Sequence, residues 1–418
     1  MSTIRVNTIQ HSSANSGNMI LHANGNVSML TANSTLFVGN TAISNAGISI
    51  SGSAVNTLTP GMRNRIINGD MRIDQRYAGS ANTLNVGASQ HILDRWGLNN
   101  NSGTGIFTIR QMDSANTSAS NYEASSAPAG FINSMKLTVT TANTTTSSTS
   151  YSGLYQGVEG LNIIDLDWGK STAKPITVSF WVKSNITGQF SWAIFNQSSG
   201  RIYPSSVTIN STNTWEYKSF TVPGDTTGTW LVNNSTGLYF QLWPVLGSNY
   251  LTSSTGWNSS GGLYGLTGQT NFMATVGNTF YITGVQIEVG TTATPFEFRQ
   301  FGQELALCQR YYQRLYGPSN LFGYWDGSNY GYVGYCLPVT MRTAPTSIGY
   351  SSLSHFVINN SGVGNPTPNA MSLDAGTSNP SVINIYVAVA SGGSSGGKAT
   401  RLLTSTSTAY IEILGGEL

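Results

Sequence analysis

Two strand-like runs carry aromatic and amide side chains at a spacing that would rest a flat, hydroxyl-rich ligand on a protein surface. From Ile176 the run ITVSFWVK alternates: Ile176, Val178, Phe180 and Val182 face one way, and Thr177, Ser179, Trp181 and Lys183 the other. From Leu238 the logic repeats, with Leu238, Phe240 and Leu242 inward and Tyr239, Gln241 and Trp243 outward. The stretch from Phe280 to Val289 adds Gln286 and Glu288, and its Gly284 is a place where a bulge would shift the register. Sugars offer flat C–H faces and many hydroxyls. Trp181, Tyr239, Gln241, Trp243, Gln286 and Glu288 therefore have the composition of a glycan platform on the outward side of one sheet. The competing expectation packs the same rings against a neighbouring subunit or beneath a loop.

Other chemistries have less to work with. Trp325, Tyr330 and Tyr332, set among glycines and short polar residues, offer a second adaptable aromatic surface, with local hairpin packing as its alternative. Asp70 and Glu288 could give oxygens to a structural calcium, but two carboxylates are a sparse ligand set. Glycoside hydrolysis needs two carboxylates across a cleft about 5 to 10 Å wide. Asp165 and Asp167 instead share one segment beside Trp168 and read as a loop. His11, His22, His91 and His355 are dispersed, with no metal-ligand pair and no nucleophile elbow. SGGSSGGK from Ser391 lacks the spacing of a phosphate loop. The reading is of a protein that is not an enzyme and needs no cofactor beyond that calcium. Cys308 and Cys336 read as two buried thiols.

Composition narrows the partners. Of 418 residues only 9% are charged, while 11% are aromatic and 47 are glycine. A disordered chain would be charge-rich and aromatic-poor, so this profile fits extended β-structure with many tight turns. A formal net charge of +2 without a Lys/Arg run gives little attraction for nucleic acid. No run approaches the roughly 18 apolar residues of a membrane span, and MSTIRVNTIQHSS lacks the apolar centre of a signal peptide. Synthesis in a cytoplasm without membrane insertion is the expectation.

The elements that must position these residues fall into four stretches. Residues 1–60 hold short alternating segments: Met19, Leu21 and Ala23, then an Asn24-Gly25 turn, then Leu36 and Val38 echoed by Ile48 and Ile50. Strands this short cannot bury a core alone but could share one around a three-fold axis, which reads as a trimeric β-shaft. Residues 61–300, after Pro60-Gly61, alternate more densely and read as a jelly-roll sandwich. Residues 301–317 read as a linking helix whose Phe301, Leu305, Cys308, Tyr312 and Leu315 recur at spacings of 4, 3, 4 and 3. Such a seam could join three helices or cap the chain's own sandwich. Residues 318–418 return to Gly/Tyr-rich strands, among them Val382 to Val389 and Ala409 to Leu414, and read as a distal β-domain. The fold class is all-β.

Several of these strings carry a resemblance. NRIINGDMRIDQR from Asn64, LDRW from Leu93, VEGLNIIDLDWGKSTAKPITVSFWVKS from Val158, NTWEYKSFTVPGDTTGTW from Asn213 and GVQIEVGTTATPFEFRQFGQELALCQRYYQR from Gly284 resemble, in order and spacing, a recurrent module of bacteriophage tail-fibre proteins. LPVTMRTAPT from Leu337 and the closing AYIEILGGEL resemble how such proteins end. The resemblance spans roughly residues 62–316. It implies a carbohydrate-binding-like jelly roll, a linking helix and a variable tip, in a homotrimeric virion protein. Residues 1–60 would attach to the phage tail or an adaptor protein, and the distal parts would meet a host surface glycan. The alternative is a purely structural tail or collar connector with a spacer jelly roll.

Overall fold

The computed structural model describes residues 62–317, 320–360, 364–390 and 396–418, and the backbone of seven short strands ahead of them. The chain divides into two compact units, Met1–Arg63 and Asn64–Leu418. In the first, Thr8–Ile9, Met19–Leu21 and Val27–Met29 form a three-stranded antiparallel sheet. Thr35–Val38, Thr41–Ser44, Gly47–Ile50 and Ser53–Val55 form a four-stranded antiparallel meander. The Asn24-Gly25 turn lies outside the described residues.

The second unit begins with a β-sandwich of jelly-roll type. Its strands are β1 (Asn82–Leu84), β2 (Ala88–Leu93), β3 (Trp96–Asn101), β4 (Ile106–Asp113), β5 (Asn133–Thr141) and β6 (Tyr151–Glu159). They continue as β7 (Ile176–Ser184), β8 (Gly188–Asn196), β9 (Arg201–Ile209), β10 (Glu216–Val222), β11 (Thr236–Leu246) and β12 (Thr279–Val289). One six-stranded sheet runs β9-β8-β11-β6-β3-β2, and the other β10-β7-β12-β5-β4-β1, with antiparallel neighbours throughout. The inward residues of β7 and β11 meet between them, Phe180 lying 5.9 Å from Phe240. Each such ring or branched side chain removed from water contributes about 1.5–3 kcal/mol before the cost of ordering it. At Gly284, with φ +63°, the β7–β12 register shifts: Ser179 pairs with Gln286 but Trp181 with Thr283.

The helix is shorter than its sequence pattern. It spans Phe301–Gln309, and Gln313–Tyr316 then enters a three-stranded sheet with Tyr410–Leu414 and Ser347–Tyr350. The expected seam is therefore not one stripe. Phe301 is 59% exposed, Leu305 is half-buried, and Cys308 and Tyr312 are buried within their own chain. Leu315 lies on a strand against the tip core. Pairing with the distant Tyr410–Leu414 ends the helix early, because an isolated two-heptad helix has too little stability to resist it.

A second, six-stranded sheet completes the tip, ordered Phe356–Asn360, Ala399–Thr404, Leu321–Trp325, Tyr330–Cys336, Val382–Ala388 and Ala370–Leu373. Its core includes Trp325, Phe356, Ile385 and Ile411. Among the described residues no helix is long and apolar enough to cross a membrane.

Candidate functional site

The six residues singled out as a glycan platform divide between opposite faces of the sandwich. Trp181, Gln286 and Glu288 stand on the outer face of the sheet containing β7 and β12; Tyr239, Gln241 and Trp243 stand on that of the sheet containing β11. Alternation fixes which residues leave the core but not which sheet a strand joins.

The β7/β12 face is roofed. Gln286 and Glu288 are 0% and 2% exposed. Gln286 Nε2 donates to Glu288 Oε1 at 2.9 Å, and Glu288 accepts from Thr294 N at 2.8 Å and Thr294 Oγ1 at 2.6 Å. Glu297 N donates to Gln286 Oε1 at 2.9 Å, so the segment after β12 lies over both side chains. A second cover is the loop between β4 and β5. There Glu123 accepts from Lys136 Nζ at 2.8 Å and from Tyr281 OH at 2.8 Å, with Lys183 Nζ at 3.6 Å. Burial would raise the Glu123 carboxyl, but the hydrogen bonds and charges of Lys136, Tyr281 and Lys183 outweigh it and leave it lowered. Half-buried Trp181 packs on Tyr217 at 5.3 Å.

The β11/β6 face carries a ladder of rings over glycines. Across β11, β6 and β3 the partners are Tyr239 with Gly157, Gln241 with Tyr155, and Tyr155 with Gly97. A methyl group added at Gly97 would run into Tyr155 Cζ. At Gly153 it would meet Leu242 O at 2.4 Å and Trp243 Cε3 at 2.5 Å, and at Gly157 it would meet Leu418 Cβ at 2.9 Å and Tyr239 Cε1 at 3.2 Å. Each ring thus lies across a neighbouring strand that has no side chain there. Tyr155 and Tyr239 are half-buried, with centroids 6.0 Å apart. The outward residues alongside, Gln241, Asn99 and Gly97, are uncharged. Sequence reasoning missed Tyr155, although YSGLYQGVEG displays its signal: Tyr151, Gly153, Tyr155 and Gly157 at every second position.

Toward β8 the ladder is covered. Trp243 is 2% exposed and Gln241 8%. Tyr264, from the loop after β11, packs on Trp243 at 5.3 Å and on Phe195 at 5.8 Å. Trp243 Nε1 and Gln241 Oε1 have no hydrogen-bond partner in the protein, and each such buried group costs about 1–3 kcal/mol.

At its other end the face meets the tip. Glu417 pairs with Arg76 at 2.7 Å and with Arg95, and His91 Nε2 lies 3.6 Å away. Burial would raise the Glu417 carboxyl, but His91, Arg95 and Arg76 hold it at about 2. Burial pushes the His91 imidazole down to about 4, Glu417 opposing. Arg310 grips Glu159 at 2.6 Å, Tyr311 OH donates to Glu159 at 2.8 Å, and the Arg95 guanidinium stacks on the Tyr311 ring at 3.5 Å. Asp94 receives Gln75 N at 2.7 Å, and burial pushes its carboxyl up to about 7. Arg299 pairs with Glu304 at 3.1 Å. The strings NRIINGD, LDRW, FEFRQFGQELALCQRYYQR and LGGEL thus build this joint rather than the ring ladder.

The remaining candidates resolve individually. Trp325 is fully buried in the tip core, its indole bonded to Ser328 O at 3.0 Å, because its strand turns that ring inward. Tyr330 and Tyr332 stay on the sheet surface, Tyr332 stacked on Tyr324 at 5.1 Å and Tyr330 on Tyr386 at 4.7 Å. Asp70 lies 3.2 Å from Arg72, with its carboxyl raised by burial to about 6. Glu288 is bonded as described, and among the described residues no group of three or more acidic, His or Cys side chains could hold a metal. Asp165 pairs with Arg65 at 2.5 Å. Of the two thiols expected to be buried, Cys308 is and Cys336, at a strand end, is exposed.

No protein-family model and no curated protein matches the chain. Among solved structures it is similar to the enzymatically active domain of tailspike protein 4 from bacteriophage CBA120: 11% identity, 55% of this chain, 22% of that one, TM-score 0.28. It is also similar to a putative sugar binding protein from Bacteroides thetaiotaomicron, with 11% identity, 54% and 100% coverage and TM-score 0.30. A family 11 carbohydrate-binding module from Clostridium thermocellum matches at 13% identity, 52% and 99% coverage and TM-score 0.25. The chain spans less than a quarter of the tailspike domain it matches. Likeness at these scores carries no functional weight.

Proposed function

We propose that the chain is a non-catalytic, glycan-binding subunit of a phage tail fibre, holding an uncharged sugar chain across Tyr155 and Tyr239. The observation that carries the binding reading is the ladder itself. Flat rings seated on Gly97 and Gly157 give a pyranose C–H face somewhere to stack, and half-buried Asn99 beside them offers polar contacts. Binding rather than hydrolysis is supported by Glu159 and Glu417, which sit at the margins of this face and are engaged by arginines. The fibre reading rests on the ordered motifs from Asn64 to Arg314. With it come assembly as a homotrimer, attachment of residues 1–60 to the tail or an adaptor, and a place in the virion.

The test uses the full chain at known solution mass. It is passed over immobilised host envelope polysaccharide and added to cells before phage. Retention on an uncharged polysaccharide together with blocked adsorption is the expected outcome. Retention on none, with adsorption unimpeded, would contradict the receptor role.

A further inference from the structure

The ring ladder does not stop where it is covered. Trp243 continues it from Tyr239 along the same side of β11, seated over Gly153 as Tyr239 is over Gly157. Phe195 flanks Tyr239 on the next strand, and its register partner there is Tyr239 itself. Ser191 partners Trp243, so the intervening row holds Ala193 and Gln241. Tyr264 touches both Phe195 and Trp243 and therefore spans that row, above the small Ala193. This part of the face holds two buried polar atoms without partners: the Trp243 indole N–H and the Gln241 side-chain oxygen, on residues 2% and 8% exposed.

The chain around Tyr264 is fixed to the sheet. Its sequence context is Gly261-Gly262-Leu263-Tyr264-Gly265. Gly265 sits directly against Ser191, where any side chain would collide with the serine hydroxyl. The adjoining Gln269 is fixed, donating to Trp243 O at 2.8 Å and accepting from Ser191 Oγ at 2.6 Å. The loop is thus clamped to the sheet, whereas the Tyr264 ring is held by contacts with Phe195, Trp243 and Tyr250.

The geometry points to a second sugar position under Tyr264, continuous with the Tyr155–Tyr239 platform, with Tyr264 as its side-chain gate. It takes an uncharged pyranose unit whose ring lies on Trp243, one hydroxyl accepting from the indole N–H and another donating to Gln241 Oε1. This rests on the glycan reading above and extends it from a short platform to a longer chain. Closing the gate over unpartnered polar atoms leaves the free protein with hydrogen bonds to make, and a hydroxyl-rich ligand supplies them.

The experiment compares full-length wild type with Trp243→Phe, Tyr264→Ala and Tyr239→Ala by calorimetric titration. The probes are tri- and hexasaccharides of the uncharged xylan, cellulose and β-1,3-glucan series. Wild type is expected to bind a hexasaccharide more tightly than its trisaccharide. Trp243→Phe, which keeps a ring but removes the N–H, should lower hexasaccharide affinity about tenfold, leave the trisaccharide unchanged, and not lower Tm. Tyr264→Ala should keep or improve hexasaccharide affinity. Hexasaccharide binding by Trp243→Phe equal to wild type would overturn the second position, while loss in Tyr239→Ala alone would leave the platform standing. A tenfold loss in Tyr264→Ala would overturn the gate, making that ring part of the platform. Absence of binding by wild type to every probe would overturn the second position, and the glycan reading falls with it only if the chain is not retained on immobilised host envelope polysaccharide either.

Discussion

The two outer faces of the sandwich are made from similar residues and put to opposite uses. On the β7/β12 face, Trp181, Gln286, Glu288, Lys183 and Tyr281 lie beneath or beside Glu123 from one loop and Thr294 and Glu297 from another. Gln286, Glu288, Lys183, Tyr281 and Glu123 are all hydrogen-bonded or ion-paired, so the face is finished apart from Ser126 Oγ in the covering loop. On the β11/β6 face the rings of Tyr155, Tyr239 and Trp243 rest on glycines, and two polar atoms are left unpaired. Aromatic and amide content is a poor guide to which face is open. Whether the polar atoms already have partners is a better one, since an unpaired buried group is costly unless something else fills it.

The contrast extends to charge and gives the largest expected effect. Glu123 on the finished face is held below its ordinary value, so its contribution is present at neutral pH and is lost as acid protonates it. Asp94, at the tip end of the other sheet, is pushed from 3.8 to about 7 by burial. Its contribution is full below the unfolded value and disappears as pH rises through about 7, worth on the order of 3 kcal/mol between pH 5 and 8. Asp94→Asn should flatten that fall in urea-unfolding free energy. An unchanged slope would place the pH response elsewhere.

The next effect concerns binding. Replacing Tyr155 and Tyr239 together by Ala should weaken retention on an uncharged polysaccharide gel about a hundredfold, whereas Trp181→Ala should change it less than twofold. Equal losses would erase the distinction between the faces. Glu288→Ala should cost about 2 kcal/mol in denaturant unfolding, because Gln286 and Thr294 lose their acceptor, with affinity per folded molecule unchanged. The smallest effect is the most selective. Gly97→Ala tilts the Tyr155 ring off its seat and should reduce affinity about fivefold while shifting Tm little, since the ring can yield at its free end.

Much of the sandwich was legible in the sequence, because alternation is a local property. Leu238, Phe240 and Leu242 face the core and their neighbours do not, as period two requires. What failed was whatever depended on distant chain. The partition of β7 and β11 into different sheets is set by distant pairings, Ile176 with Val289 among them, so six residues that looked like one platform became two half-sets. Glu288 was exposed by pattern but lies under Thr294. The helix seam broke because Gln313–Tyr316 found a strand partner nearly a hundred residues downstream. Tyr155 was legible and overlooked: rings alternating with glycine mark a strand whose neighbours lie flat upon it.

The most direct test is a crystal structure of the full chain with an uncharged hexasaccharide. Sugar rings are expected over Tyr155 and Tyr239, reaching toward Trp243, with Tyr264 turned aside. Sugar bound beside Trp181 and Tyr217, or on the Tyr324–Tyr332 stack of the tip with the ladder bare, would contradict it.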